Sequence, residues 1–189
     1  MSAFDFILSL LSFVYALALG QVLTSTGRLL VERRRVRFSG LLALAMLNAV
    51  IQVYICWLSL WDYRDTQGFD LYTVTLFFLS AILIYIFCVT VSPEPAPEGE
   101  IDLEAFFWAN HRLFYGAYAV LVVLFIASTA VFLRTSQPHL FLQEALSNIP
   151  FLILSLIAIF TRRRWAQWAA GITLAIMSVA WSIAFSSSF

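Results

Sequence analysis

Six apolar stretches, near residues 4–30, 38–61, 70–91, 113–133, 140–161 and 165–185, fill almost all of this 189-residue chain. A helix needs about 20 apolar residues to cross a hydrocarbon core of about 30 Å, so each stretch is long enough to span a bilayer. The chain is 62 % hydrophobic and 12 % charged. A water-soluble domain of this size leaves much of its area exposed and could not hide that much apolar surface. The expected fold is therefore all-α: one polytopic domain over residues 1–189 with six transmembrane helices and no soluble part.

The arginines give an orientation. Arg28, Arg33, Arg34, Arg35, Arg37, Arg112, Arg162, Arg163 and Arg164 fall in alternate connections, and only Arg64 and Arg134 fall in the others. Basic residues stay on the cytoplasmic side of short loops, so both termini are expected outside. Trp57, Trp61 and Tyr63 then mark the outer interface, and Trp108, Trp165 and Trp168 the inner one. The N-terminal residues Met1 to Asp5 lack a basic region, and the first arginine cluster follows the first apolar run. That polarity is wrong for a cleaved signal peptide, so the first span is expected to be retained. Three spans in each half would orient the halves oppositely, as in inverted-repeat transporters, although no residue-level match links them.

Two connections have length. Residues 28–37 form a basic inner turn. The 92–112 connection is acidic and proline-rich from Ser92 to Glu100, after which Asp102 is placed to cap a short interfacial helix carrying Leu103, Phe106, Phe107 and Trp108.

Several chemistries are excluded by composition. The chain has no lysine, which removes retinal or pyridoxal Schiff bases and a phosphate-loop lysine. His111 and His139 fall at opposite faces, too far apart to share a haem or a catalytic metal within one subunit. Cys56 and Cys88 should differ in depth by about 20 Å, too far for a disulfide. No His-Glu-x-x-His, Gly-x-Ser-x-Gly or Cys-x-x-Cys motif occurs. Zero formal charge argues against a nucleic-acid partner. Neither a cofactor nor a metal nor enzymatic activity is expected.

The informative residues are polar groups inside apolar runs. Gln21 lies in the first span, Asn48 and Gln52 one turn apart in the second, and Glu144, Ser147 and Asn148 on one face of the fifth, before Pro150. Such side chains are costly against lipid, so they either line a polar path or tie helices together. Small residues recur every few positions at Ser12, Ala16, Gly20 and Thr24, and again at Gly171, Ala175, Ser178 and Ser182. These stripes allow close helix approach, within the bundle or between copies. Arg33, Arg34, Arg35, Arg162, Arg163 and Arg164 are candidates for anionic headgroup contact. The turn holding Asp62, Arg64, Asp65 and Asp70 reads as a solvated outer cap.

The segment Trp57-Leu58-Ser59-Leu60-Trp61-Asp62, and the acidic loop followed by Phe106-Phe107-Trp108-Ala109-Asn110-His111-Arg112, resemble a group of uncharacterised six-span proteobacterial inner-membrane proteins of about this length. That resemblance covers most of the chain. It implies a bacterial inner-membrane location and carries no activity or site residues. Without extramembrane mass, the functional expectation is a small, oligomeric channel or facilitator for an ion or small solute. The alternative is a non-catalytic accessory subunit docking other membrane subunits through the small-residue stripes and the 92–112 loop. A lipid-handling enzyme stands third.

Overall fold

The computed structural model describes residues 3–64, 71–94, 99–136 and 138–186; the side chains of 3, 62, 63, 129, 131–136, 138–144 and 184–186 lie outside that description. Six helices form a bundle: α1 (Ala3–Val31), α2 (Gly40–Leu58), α3 (Leu71–Thr90), α4 (Leu103–Ser136), α5 (Pro138–Phe160) and α6 (Arg164–Ser186). A 3₁₀ turn, Ser59–Tyr63, extends α2. Two two-residue strands, β1 (Val36–Arg37) and β2 (Ile101–Asp102), lie in the connections.

Among the described residues five helices are long and apolar enough to cross a membrane; in α5 the described apolar stretch is Ala145–Phe160. Their outward faces are apolar as well: Phe13, Leu23, Val31, Leu71, Leu113, Phe160, Ile176 and Ile183 are all exposed. A helix apolar all round needs an apolar solvent, and a patch of this extent in water would drive aggregation. This is the fold of a helical membrane protein.

The helices pack chiefly as α4 on α5, α1 on α3, α3 on α4 and α2 on α6. Helices α2 and α6 meet through glycines. A Cβ on Gly171 would come within 2.7 Å of Leu44, and one on Gly40 within 2.8 Å of the Trp168 ring. At both positions the neighbouring side chain fills the space a Cβ would take, so the absence of one lets the helices approach closely.

One end of the bundle is clasped. Strands β1 and β2 pair in parallel, Val36 with Ile101 and Arg37 with Asp102. The Ile101 N–H donates to the Arg35 carbonyl at 2.8 Å. Arg35 donates through Nε to the Gly99 carbonyl at 2.9 Å and pairs with Glu32 at 2.9 Å. Gly99 has φ of 96°, a left-handed conformation that suits glycine. Arg37 pairs with Asp102 at 3.1 Å, and Arg164 with Glu104 at 3.4 Å. Deeper in, the Ser25 hydroxyl donates to the Pro93 carbonyl at 2.8 Å. The three arginine-bearing connections are thus joined to one another.

Asp102 does cap a helix. Its Oδ1 accepts from the Glu104 and Ala105 N–H groups, each at 2.9 Å. The helix is not a separate interfacial one, however: α4 runs unbroken from Leu103 to Ser136, so residues 103–112 are its first three turns. At about 1.5 Å per residue it is roughly 50 Å long, well beyond the hydrocarbon thickness. No glycine or proline between Leu103 and Gly116 interrupts the run, and of the residues that suggested an interfacial helix Leu103 and Phe107 are buried while Phe106 and Trp108 are half-buried.

Candidate functional site

A cavity of about 150 Å³ lies inside the bundle. All six helices contribute polar groups to it: Tyr15 from α1, Gln52 and Cys56 from α2, Ser80 from α3, Tyr118 and Ser128 from α4, Asn148 from α5 and Ser178 from α6. Ser59 of the 3₁₀ turn adds another hydroxyl, and Ile55, Phe77, Val122, Phe125, Phe151 and Trp181 supply apolar wall. The cavity is lined mostly by apolar surface, with these neutral polar groups set into it. Among the described residues no charged side chain lines it.

The hydroxyls are held by their own helices. Ser80 donates to the Leu76 carbonyl at 2.9 Å, Ser128 to Leu124 at 2.9 Å, and Ser59 to Cys56 at 3.0 Å. Back-bonding of this kind satisfies the hydroxyl proton within the helix. Gln52 donates through Nε2 to the Cys56 sulfur at 3.9 Å, and the Tyr118 hydroxyl meets Ser178. The wall is thus largely apolar surface set with neutral hydroxyl, amide and phenol groups. That chemistry suits a small neutral solute with hydroxyl or amide groups.

Toward the clasped end the bundle is packed. Phe87 and Phe114 stack with centroids 4.8 Å apart, and Phe87 meets Tyr118 at 5.6 Å. Ile84, Phe87, Cys88 and Leu121 are wholly buried there. Along α3 and α4 these residues fall between the cavity and the clasp, so the cavity has an aromatic floor.

The polar residues singled out in the sequence part company. Gln52, Asn148 and Ser178 line the cavity. Asn48, one turn before Gln52, does not: its Nδ2 donates to the Leu44 carbonyl at 2.9 Å and to the Gly171 carbonyl at 3.0 Å. It joins α2 to α6. Gln21 is half-buried on α1 and Ser147 is exposed on α5, neither in the cavity wall. The Glu144 side chain lies outside the described residues. In the first stripe Ser12 accepts from Trp57 Nε1 at 3.3 Å, whereas Ala16 and Thr24 are exposed and Gly20 has open space beside it. In the second, Gly171 and Ser178 are buried and Ala175 and Ser182 half-buried. Of the six headgroup arginines, Arg35 and Arg164 are ion-paired, while Arg33, Arg34, Arg162 and Arg163 are exposed.

The sequence reading missed Tyr15, Ser59, Ser80, Tyr118 and Ser128. Single hydroxyls in apolar helices are ordinary, and only their convergence on one volume distinguishes them. No group of three or more metal-ligating side chains occurs among the described residues. Comparison of the chain with family models, with curated proteins and with solved structures gave no match.

Proposed function

We propose that the protein is a small membrane facilitator that admits a neutral, hydrogen-bonding solute into the cavity and passes it across the bilayer. The observation that carries this reading is the cavity wall itself: six helices each contribute a neutral polar group to one internal volume. Among the described residues no charged side chain faces the cavity, and moving an ion into such a site is strongly unfavourable without dedicated coordination. A polyol or urea-sized solute would exchange its water for fixed hydroxyl and amide partners. Transit requires the Phe87–Phe114 layer to part, so the described conformation is closed toward the clasp.

In this reading the chain crosses a bacterial inner membrane six times, with both termini outside and the clasp in the cytoplasm, as a member of the small six-span group it resembles. The two halves are opposite in orientation but not alike in packing, since α1 lies along α3 whereas its counterpart α4 lies along α5. The test is solute-driven swelling of proteoliposomes followed by light scattering. Glycerol or urea should enter faster than into empty vesicles, and Gln52→Leu or Ser80→Phe should abolish the gain without altering the melting temperature. Swelling equal to that of empty vesicles would end this proposal.

A second reading draws on α1. Ala16, Gly20 and Thr24 face away from the bundle, with open space beside Gly20 and Gly27. This is the geometry a second transmembrane helix needs for close approach, in a homo-oligomer or as an accessory subunit of a larger complex. Gly20→Leu should then release a partner that co-purifies from native membranes.

A further inference from the structure

The helices that reach the clasp fall into two units. Helices α2 and α6 are joined by the close approaches at Gly40 and Gly171 and by the Asn48 amide on the Gly171 carbonyl at 3.0 Å. Helices α3 and α4 meet through Phe87 and Phe114, stacked with centroids 4.8 Å apart. Tyr118, one turn further along α4, lies 5.6 Å from Phe87 and also lines the cavity. The aromatic layer under the cavity is therefore an α3–α4 contact, and it parts only where those two helices separate.

Two ion pairs join the units. The first unit supplies two cations: Arg37, in the strand that leads into α2, and Arg164, the first residue of α6. The start of α4 supplies two acids, its cap Asp102 and Glu104 in its first turn. Arg37 Nη1 lies 3.1 Å from Asp102 Oδ2, and Arg164 Nη2 lies 3.4 Å from Glu104 Oε2. Two acids of one helix start are thus held from two different helices. Because α4 runs unbroken from Leu103, Phe114 follows the end that these pairs hold, about 15 Å away along the axis. Both arginine side chains are 65 % exposed. Ion pairs in that setting are weak and screened by salt, which suits a fastening that has to come undone.

We propose that the Arg37–Asp102 and Arg164–Glu104 pairs are a latch on the inner end of the cavity. While they hold, α4 stays against α2 and α6 and the Phe87–Phe114 layer is shut. When they part, the layer opens toward the clasp. The inference rests on the reading of the cavity as a transit path, with the layer as its gate.

Cys88 reports on the layer without any solute, since it is wholly buried next to Phe87 on α3. The test is the rate at which a small water-soluble methanethiosulfonate labels Cys88 relative to Cys56 in the purified full chain. Arg37→Gln with Arg164→Gln removes both pairs and leaves the Asp102 cap in place. Cys88 labelling should then rise roughly threefold to tenfold, the effect of losing two exposed pairs. Salt at about 1 M, where the Debye length is about 3 Å, should speed it in wild type and not in that variant. Arg164→Glu with Glu104→Arg re-forms one pair with its signs exchanged and should restore the protection lost in Arg164→Gln alone. Arg33 and Arg34 are exposed and have no ion pair among the described residues, so Arg33→Gln with Arg34→Gln should change nothing.

An unchanged Cys88 rate in the Arg37 and Arg164 variant would overturn the latch, even if solute flux is robust in wild type. So would an exchanged pair that labels as fast as Arg164→Gln. Faster Cys88 labelling with no solute flux in either protein would leave the latch standing and remove the transit reading instead.

Discussion

Asn48 Nδ2 sits 3.0 Å from the Gly171 carbonyl, at the level where a Cβ on Gly171 would strike Leu44. The hydrogen bond and the missing side chain are two aspects of one contact, since only a glycine brings the α6 backbone within reach of an asparagine on α2.

Removing either half of that contact should loosen the α2–α6 pair without touching the cavity. Asn48→Leu should lower stability by about 0.6–1.7 kcal/mol, the range of interhelical hydrogen bonds in membranes. Gly171→Leu should be worse, because a four-carbon side chain there must displace both the Leu44 side chain and the Asn48 amide beside it. Thermal unfolding in detergent reads both, and solute flux in the surviving Asn48→Leu protein should match wild type. An unchanged melting temperature for both variants would show that this contact is not structural.

The two cysteines should differ in reactivity. Cys56 lies in the cavity wall, whereas Cys88 is wholly buried beside the aromatic floor. A small water-soluble methanethiosulfonate should modify Cys56 before Cys88, and mass spectrometry after digestion distinguishes the two. Faster labelling of Cys88 would contradict the placement of the floor. A solute that occupies the cavity should slow the Cys56 reaction selectively.

Asp102 gives the clasp a pH dependence. The Ala105 N–H foremost, with Arg37 and the Glu104 N–H, favours its charged form and holds the carboxyl below the ordinary aspartate value, even though partial burial opposes this. A depressed folded pKa contributes stability that is complete above the unfolded value, about 3.9, and is lost as pH falls through the folded value. Acidification below about pH 4 should therefore lower the melting temperature, and Asp102→Asn should flatten that part of the profile. A profile identical to wild type would assign the acid sensitivity to other carboxylates.

Gln167 closes the α5–α6 turn with one side chain, and its Oε1 is buried without a hydrogen-bond partner among the described residues. Gln167→Leu should cost about 1–3 kcal/mol, the penalty for leaving buried acceptors unpaired. Gln167→Glu should be more harmful, because the donor to Ala158 and Thr161 becomes an acceptor in a buried position. Thermal melts of the two variants give the ranking directly.

Helix positions were legible because lipid imposes one simple rule on every span, and a long apolar run has few other readings. Of the polar residues read as lining a path or tying helices together, Gln52 and Asn148 border the cavity. Azimuth was not legible. Asn48 is one turn from Gln52 and differs from it by about 40° around the helix axis, enough to send one amide to Gly171 and the other to the cavity. Because these helices are apolar on all sides, sequence periodicity does not reveal which face turns inward. The hydroxyls of Ser80 and Ser128 are hidden for a related reason, since each is satisfied by its own helix and leaves no local trace of what its oxygen faces. The clasp joins residues more than sixty positions apart, such as Arg37 and Asp102, and no local pattern encodes that pairing.

The acidic connection between α3 and α4 is fastened near both ends, at Pro93 by Ser25 and at Ile101 by the Arg35 carbonyl. Between them the Gly99 carbonyl also accepts from Arg35 Nε. Every acceptor in this set is a backbone carbonyl, at Pro93, Gly99 and Arg35, so replacing the residues that carry them leaves the acceptors in place, and substitution weakens these bonds only through the side-chain donors Ser25 and Arg35.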